Sequence, residues 1–289
     1  FVKINKNTEK MRKTIILFSL LFALAACSTN KVGVETVIIS SDNLHCDDTC
    51  LVFTPNTPAK FEKTPTLFLL HGWSGCYKNW SDKYDLQEIS DRTGFRIITP
   101  DGFYNSWYVN STDPNGMQYR KFWDEELWPL MKGKYELDPE YTFITGLSMG
   151  GHGAMNLYLD HPENYRSAGS MSGVLNINAT NLIDKWVSKV LGEYTPENTR
   201  YNEESAVYRL QEYVDTYPMA LEKVLIVSCG YEDFYAVCTK EFADKCEELK
   251  IPHVEHLSKA THSWKYWGYA LEEHLSHFTK ILNEANLGF

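Results

Sequence analysis

Ser148 stands where its hydroxyl can act as a nucleophile. Residues 141–145 form an apolar run that leads into Gly146-Leu147-Ser148-Met149-Gly150, and a helical stretch of small and apolar residues follows. A serine flanked in this way is typical of a sharp strand-to-helix turn, where the backbones pack too closely for side chains at the two glycine positions. The pattern predicts acyl transfer at Ser148, and a glycine-rich loop is the alternative.

A serine hydroxyl is a weak nucleophile and needs a base that takes its proton. In a hydrolase with this turn, the acid and then the histidine follow the serine along the chain. His262 fits, because it lies in the loop between the last predicted strand and the last predicted helix. The other histidines precede the serine, follow it too closely, or lie in or beside regular elements: His45, His71, His152, His161, His253, His256, His274 and His277.

The orienting acid should follow the apolar run 224–228. The next residues, Cys229-Gly230-Tyr231-Glu232-Asp233, offer two carboxylates, and the residues alone leave both open. The carboxylate that is not used would be a solvated loop residue.

The oxyanion formed in acyl transfer needs two backbone N–H donors. One is expected from Met149, the residue after the nucleophile. The other is expected from Trp73, in the loop that follows the apolar run 66–70. The alternative for this loop is a simple turn.

The elements that must position these residues alternate between strands and helices. We predict strands over residues 34–40, 51–54, 66–70, 95–99, 141–145, 167–171, 224–228 and 253–257, and helices over 121–131 and 264–282. Pro129 is expected to kink or end the first of these helices. Continuous apolar strands between helices indicate a mostly parallel sheet with helices on both faces. Residues 174–223 are more polar and are expected to form a small helical cap or insertion.

Composition and charge exclude several classes of protein. The 289 residues are 43% hydrophobic and 23% charged, which is typical of a globular α/β domain rather than a disordered or fibrous chain. A net charge of −10 makes nucleic acid an unexpected partner. His253 and His256 form an HxxH pair, but no carboxylate at helical spacing completes a metal site. We expect no metal and no organic cofactor.

Residues 1–26 have the pattern of an export signal. Basic residues precede an apolar run over 15–26, which is too short to span a bilayer. The run ends in Leu24-Ala25-Ala26-Cys27, which resembles a bacterial lipobox, in which the cysteine is lipidated after cleavage. We predict an upstream extension and signal peptide over 1–26, a tether over 27–33 and one catalytic domain over 34–289. An ordinary signal peptide is the alternative.

Six further cysteines would then lie in a compartment that permits disulfides. Cys46 and Cys50 flank a short polar segment and are predicted to be able to close a small loop. Cys229 ends an apolar strand and is expected to be a buried free thiol.

As a set, these motifs resemble the esterase D / tributyrin esterase branch of the α/β-hydrolases. The resemblance covers about residues 35–285 and includes Trp80, Trp264 and Trp267. It implies the α/β-hydrolase fold and a triad of Ser148, Asp233 and His262, with Trp73 and Met149 as oxyanion donors. It also implies that Trp107 and Tyr108 line the substrate pocket, although buried aromatic packing is the alternative for this pair. Lys259-Ala260-Thr261 departs from the family, which often has glycines before the histidine.

These features together predict an exported, lipid-anchored serine esterase of the cell envelope. It would remove acetyl or feruloyl groups from carbohydrates, or hydrolyse other short-acyl esters. The enzymatic alternatives are a thioesterase similar to S-formylglutathione hydrolases, an acyltransferase and, less favoured, a peptidase. The non-enzymatic alternative is a carbohydrate-binding lipoprotein on a hydrolase scaffold. The sequence does not predict an oligomeric state.

Overall fold

The computed structural model describes residues 33–179 and 186–287. These residues contain eight strands, which lie in one sheet in the order β1-β2-β4-β3-β5-β6-β7-β8. The strands are β1 (Glu35–Ser41), β2 (Cys46–Phe53), β3 (Thr66–Leu70), β4 (Arg96–Thr99), β5 (Thr142–Gly146), β6 (Ser167–Met171), β7 (Leu225–Gly230) and β8 (His253–Ser258). Each of the eight predicted strands is confirmed, with shifts of a few residues at most of the ends.

The sheet is mostly parallel, as predicted. β1 pairs with β2 and β2 with β4 in antiparallel fashion, whereas β4, β3, β5, β6, β7 and β8 run parallel to one another. The carboxyl ends of parallel strands lie at one edge of a sheet, which is where ligands bind in this class of fold. The segments that follow β3, β5, β7 and β8 therefore meet at one edge.

Helices cover both faces of the sheet. The described α-helices are α1 (Leu86–Thr93), α2 (Tyr119–Phe122), α3 (Trp128–Tyr135), α4 (Met149–Asp160), α5 (Ser188–Leu191), α6 (Arg200–Glu203), α7 (Ala206–Thr216), α8 (Ala236–Leu249) and α9 (Trp264–Leu287). Helices α1 and α9 contribute to one apolar core, and α2, α3, α4, α7 and α8 contribute to the other. None of the described helices is both long and apolar enough to cross a membrane.

The central strands are apolar on both faces because each face meets a helical layer. All five residues of β3 are buried. Leu67 and Leu69 belong to the core under α1 and α9, whereas Phe68 and Leu70 belong to the core under α4. This arrangement explains why every residue of β3 and β5 is buried, and it establishes the predicted α/β-hydrolase architecture.

The first predicted helix is longer than expected and continues through Pro129. A π-helical turn, Trp123–Leu127, joins α2 to α3, and Pro129 lies in the first turn of α3. A proline is tolerated there because the first turn of a helix does not need its N–H group. The proline therefore does not end the helical run.

The described part of the insertion between β6 and β7 is helical, and its longest helix packs on helices of the body. Helix α7 contacts α4 and α8. Ion pairs hold the insertion to the body: the buried Glu204 accepts from Arg120 and from Arg200, whose Nη2 lies 2.6 Å from Glu204 Oε1. Arg120 also pairs with Asp160 at the end of α4, with 3.0 Å between Nη1 and Oδ1.

The predicted Cys46–Cys50 loop is wrong. Strand β2 begins at Cys46 rather than at residue 51, because this segment pairs in register with β1. Two residues four positions apart on a strand lie about 13 Å from each other, too far for a disulfide. All six cysteines in the described residues are free, and Cys229 is buried as expected.

His274 is a fully buried histidine of α9 that connects two strands. Its Nδ1 lies 2.9 Å from Thr145 Oγ1 on β5, and its Nε2 lies 3.0 Å from Ser228 Oγ on β7. Burial, with a smaller effect of His277 and His256, lowers the pKa of His274 to about 3. The imidazole is therefore neutral in the folded protein at neutral pH.

We predict that His274 makes the fold sensitive to acid. Its pKa is lower in the folded chain than in the unfolded chain, so its contribution is complete above about pH 6.5 and is lost as the pH falls towards 3. Each unit of pKa difference corresponds to about 1.4 kcal/mol. His274→Asn should lower Tm at neutral pH but flatten the fall of Tm between pH 6.5 and 4. The control is His45→Asn in an exposed turn with φ 59°. Equal slopes in the three proteins would contradict the prediction.

Candidate active site

Ser148 lies on a strained turn between β5 and α4. Its backbone has φ 52° and ψ −115°, a conformation that a residue with a side chain rarely adopts. A Cβ at Gly146 would lie 2.5 Å from Gly150 O, and a Cβ at Gly150 would lie 2.5 Å from His71 O. Both glycines are therefore required by close backbone packing, which is the reason given from the sequence.

The structure brings Ser148, His262 and Asp233 together from three different loops. Ser148 follows β5, Asp233 follows β7, and His262 lies between β8 and α9. The Ser148 hydroxyl lies 3.0 Å from His262 Nε2, and His262 Nδ1 lies 2.8 Å from Asp233 Oδ2. These are the hydrogen-bond distances that a nucleophile, a base and an orienting acid require.

The hydrogen bonds of Asp233 determine which imidazole nitrogen carries the proton. Asp233 is buried, and its Oδ1 accepts the Tyr235 N–H at 2.9 Å. Burial raises the pKa of Asp233, but its interaction with His262, together with the hydrogen bonds from the Tyr235 N–H and the Ser172 hydroxyl, more than offsets this effect, so the pKa lies below its ordinary value. An ionised carboxylate can only accept, so His262 donates from Nδ1 and leaves the Nε2 lone pair facing Ser148.

The choice between the two carboxylates is resolved by their environments. Glu232 is exposed, and its backbone N–H donates to Ala260 O. Asp233 is buried against His262. Asp233, the acid that the family resemblance implies, is therefore the carboxylate whose side chain contacts His262.

Aromatic rings surround His262 and limit its movement. The rings of Phe234, Tyr235 and Trp267 have centroids 4.6, 5.2 and 4.8 Å from the imidazole centroid. Tyr235 and Trp267 present their edges to it, at interplanar angles of 83° and 89°. This packing keeps the imidazole in the plane that joins Asp233 to Ser148.

The loop that carries Trp73 passes directly beside Ser148. A Cβ at Gly72 would lie 3.5 Å from Ser148 Cβ. Neither the Trp73 N–H nor the Met149 N–H donates to a backbone carbonyl within the described residues. Both groups are therefore available to an oxyanion, as the prediction requires.

His71 fixes this loop and was not assigned a role from the sequence. It is buried, and its Nε2 accepts the Gly102 N–H at 2.7 Å, so Nδ1 carries the proton and donates to Gly72 O at 2.8 Å. The imidazole thus joins the loop after β3 to the loop after β4. The position of His71-Gly72 directly after an apolar run was the feature of the sequence from which this role could have been inferred.

Trp107 and Tyr108 have different positions, although they are neighbours in sequence. Trp107 lines the cleft above Ser148. Tyr108 does not line it, contrary to the prediction, because its ring is fully buried and its hydroxyl donates to His71 O at 2.9 Å. Both residues have positive φ, 55° and 57°, and this turn directs Tyr108 into the core.

The cleft at Ser148 has a volume of about 750 Å3 and two aromatic walls. The insertion wall consists of Trp73, Trp107 and Trp186. The ring centroids of Trp73 and Trp186 are 4.5 Å apart, and Asn105 accepts from Trp107 Nε1 and donates to Trp186 O.

The histidine wall consists of Phe234, Tyr235, Trp264 and Trp267, which pack on His262 or on one another. No pattern in the sequence of the insertion indicated that Trp186 lines the cleft.

Ser172 supports the acid and was also missed. It is fully buried with φ 49°, and its hydroxyl forms a hydrogen bond with Asp233 that contributes to lowering the pKa of that carboxyl. Its oxygen also accepts the Trp267 Nε1–H at 3.2 Å. It therefore connects the acid to the histidine wall.

Comparison with known proteins identifies a family that spans most of the chain. The family model "Putative esterase" matches residues 41–278. S-formylglutathione hydrolase of Mus musculus is 28% identical over 90% of this chain and 99% of its own length. An acetyl esterase of Caldicellulosiruptor saccharolyticus is 23% identical over 71% of this chain and 80% of its own length.

Solved structures share the fold. The structure of a ferulic acid esterase superposes with a TM-score of 0.73 at 24% identity, over 86% of this chain and 98% of that one. At this identity the likeness concerns the fold alone.

We predict that removing the Ser172 hydroxyl lowers activity without unfolding the protein. A hydrogen bond to a charged group contributes about 1.5–3 kcal/mol, so Ser172→Ala should lower kcat/KM on an aryl acetate about tenfold. The control is Ser170→Ala, because the buried Ser170 Oγ has no hydrogen-bond partner within the described residues. That variant should retain kcat/KM within about twofold. Equal kcat/KM in Ser172→Ala and the wild type would refute the role.

Proposed function

The chain belongs to this esterase family and is an ester hydrolase, and from that premise we propose that it acts through an acyl-enzyme on Ser148. The observation that carries the proposal is the hydrogen-bonded chain from Ser148 Oγ through His262 to Asp233, with distances of 3.0 and 2.8 Å. This is the geometry by which a serine is activated.

In the proposed reaction, Ser148 Oγ attacks the ester carbonyl carbon while His262 Nε2 takes the hydroxyl proton. Asp233 stabilises the imidazolium that forms and keeps its Nδ1 proton in place. The tetrahedral intermediate collapses, and the C–O bond to the leaving group breaks as His262 returns the proton to the departing oxygen. Water then attacks the acyl-enzyme with the same proton transfers in reverse.

The backbone N–H groups of Trp73 and Met149 are the proposed oxyanion donors. Their position beside Ser148 costs no rearrangement when negative charge develops. Losing one such donor typically costs about 3–4 kcal/mol of transition-state stabilisation. The hydrogen bonds of His71 contribute indirectly, because they hold the loop that carries Trp73.

For the substrate, we propose acetyl or feruloyl esters of carbohydrates. Two features support this class: the tryptophan-rich walls, which suit sugar rings and aromatic acyl groups, and the acetyl esterase among the relatives. The second candidate is a thioesterase, because four mammalian and plant relatives bear the name S-formylglutathione hydrolase. The same Ser148 chemistry would serve both.

We predict measurable ester hydrolysis that depends on Ser148. Ser148→Ala should lower kcat on an aryl acetate roughly 10⁴-fold or more, because the nucleophile is lost. The wild type is assayed in parallel on methyl ferulate, an acetylated xylan oligosaccharide and S-formylglutathione. A higher kcat/KM for the first two favours carbohydrate esters, and a higher value for the third favours the thioesterase.

Other outcomes would change the assignment. Turnover only when an acceptor sugar or lipid hydroxyl is added would indicate an acyltransferase. Unchanged hydrolysis in folded Ser148→Ala would contradict the proposed mechanism. If the folded wild type hydrolysed no ester but bound oligosaccharide, the non-enzymatic alternative would replace it.

We also propose that the protein is exported and lipid-anchored in the bacterial cell envelope. The support is the basic and apolar run before Leu24-Ala25-Ala26-Cys27, which lies outside the described residues. An acyl chain and the attached glycerolipid would hold the protein at the membrane, since stable anchoring requires more than one chain.

We predict that Cys27 takes up lipid. When the chain is expressed in bacteria fed an alkyne fatty acid, the label should appear on the wild type in the membrane fraction. Cys27→Ser should lose the label and the membrane association, whereas Cys76→Ser should keep both. Label that persists in Cys27→Ser would contradict the anchor.

A further inference from the structure

The two walls of the cleft meet different parts of the substrate, if the proposed function is correct. His262 Nε2 must give its proton to the leaving atom, so the leaving group lies within hydrogen-bond reach of that nitrogen. The ring contacts of His262 are all with the histidine wall, whereas the tryptophan rings of the insertion wall contact Tyr104, His152 and one another. The leaving group therefore lies along the histidine wall and the acyl group along the insertion wall.

Lys83 lies on the leaving-group side. It lines the cleft, and its ammonium lies 6.0 Å from the ring centroid of Trp264. The segment that carries it is held in place: Lys83 N–H donates to Trp80 O, and Trp80 Nε1 donates to Leu70 O at the end of β3. The hydroxyl of the next residue, Tyr84, donates to Trp264 O. This anchoring fixes the backbone at Lys83 relative to His262.

The charge of Lys83 is not neutralised by any carboxylate in the part of the chain that the structure describes. Among the described residues, no carboxylate forms an ion pair with it, and Lys83 is the one Lys or Arg side chain that lines this cleft. The neighbouring Asp82 is exposed, and Asp85 accepts the Glu88 N–H at the start of α1. In a chain with net charge −10, a cation in the cleft that holds Ser148 raises the local potential where an anionic substrate would otherwise be repelled.

We propose that Lys83 makes this esterase selective for leaving groups that carry a carboxylate. An alcohol or thiol with a carboxylate would place its acyl carbon at Ser148 and its anionic group at the Lys83 ammonium. Asn79, four residues before Lys83, also lines the cleft and has an amide that can donate to a carboxylate. A uronic acid acylated on one of its hydroxyls and an acidic peptide acylated on its thiol both have this chemistry.

The test compares two esters that differ in leaving-group charge, 4-acetoxybenzoate and 4-acetoxybenzamide. The ratio of their kcat/KM values is measured in the wild type, Lys83→Gln and Lys78→Gln, so that intrinsic reactivity cancels. An exposed ion pair gives a modest effect, so Lys83→Gln should lower the benzoate-to-benzamide ratio about fivefold, mainly through KM. Lys78 is an exposed lysine of the same segment that does not line the cleft, and Lys78→Gln should keep the wild-type ratio.

Further substrates show on which side of the cleft the carboxylate binds and whether it belongs to a sugar or to a peptide. 4-Nitrophenyl hemisuccinate carries its carboxylate on the acyl group, and its ratio to 4-nitrophenyl butyrate should not change in Lys83→Gln. A change there equal to that for the benzoate would overturn the assignment of sides. An acetylated glucuronoxylan oligosaccharide and S-formylglutathione then show whether the dependence on Lys83 is greater for a sugar or a peptide acid.

The outcomes separate the inference from the proposed function. Hydrolysis with equal benzoate-to-benzamide ratios in all three proteins overturns the role of Lys83 and leaves the esterase mechanism intact. If the folded wild type hydrolyses neither ester, both fail together. A ratio that falls in Lys83→Gln and approaches the same low value at high salt in the wild type supports the electrostatic role, because salt screens exposed charges.

Discussion

The strained backbone at Ser148 is the constraint on which the rest of the site depends. A positive φ at a residue with a side chain is unfavourable by about 1–3 kcal/mol and persists only where surrounding contacts enforce it. Here the enforcement comes from backbone packing: Gly146 and Gly150 allow β5, α4 and the end of β3 to approach within van der Waals contact. That approach places Gly72, and with it the Trp73 N–H, next to the serine. The turn therefore places Ser148 at the cleft and the proposed oxyanion donors beside it.

The remaining groups are held by buried polar contacts that arise from the sheet. His71 joins the loops after β3 and β4, and Ser172 joins Asp233 to Trp267 at the start of the histidine wall. Each of these side chains is buried, so leaving one of its polar atoms without a hydrogen bond would cost about 1–3 kcal/mol. Any other arrangement of the side chain would break these hydrogen bonds and is therefore unfavourable. The imidazole of His262 is further restricted by three aromatic rings. The site is thus preorganised by the core rather than by the loops alone.

How much of the fold and of the candidate site can be predicted from the sequence depends on whether a feature gives a periodic or local pattern along the chain. The central strands were predictable because a strand buried on both faces is rich in apolar residues, as β3 shows, and β1 at the edge of the sheet because its residues alternate between buried and exposed. Ser148 and His262 were predictable from chain order and from the glycines. The choice of Asp233 over Glu232 needed the family resemblance, because adjacent carboxylates in a loop differ only in burial. Tyr108 was misplaced because two consecutive positive φ angles turn the chain, and Ser172, His71 and Trp186 act through long-range contacts that no local pattern encodes.

The central claim is that Ser148 is a nucleophile activated by His262, and a fluorophosphonate probe tests it most directly. The full chain is treated with the probe, digested and mapped by mass spectrometry, with His262→Gln and heat-unfolded protein as comparisons. We expect one adduct per chain, on Ser148, formed rapidly in the wild type, far more slowly in His262→Gln and not in the unfolded chain. An adduct on another residue, or none on folded wild-type protein, would contradict it.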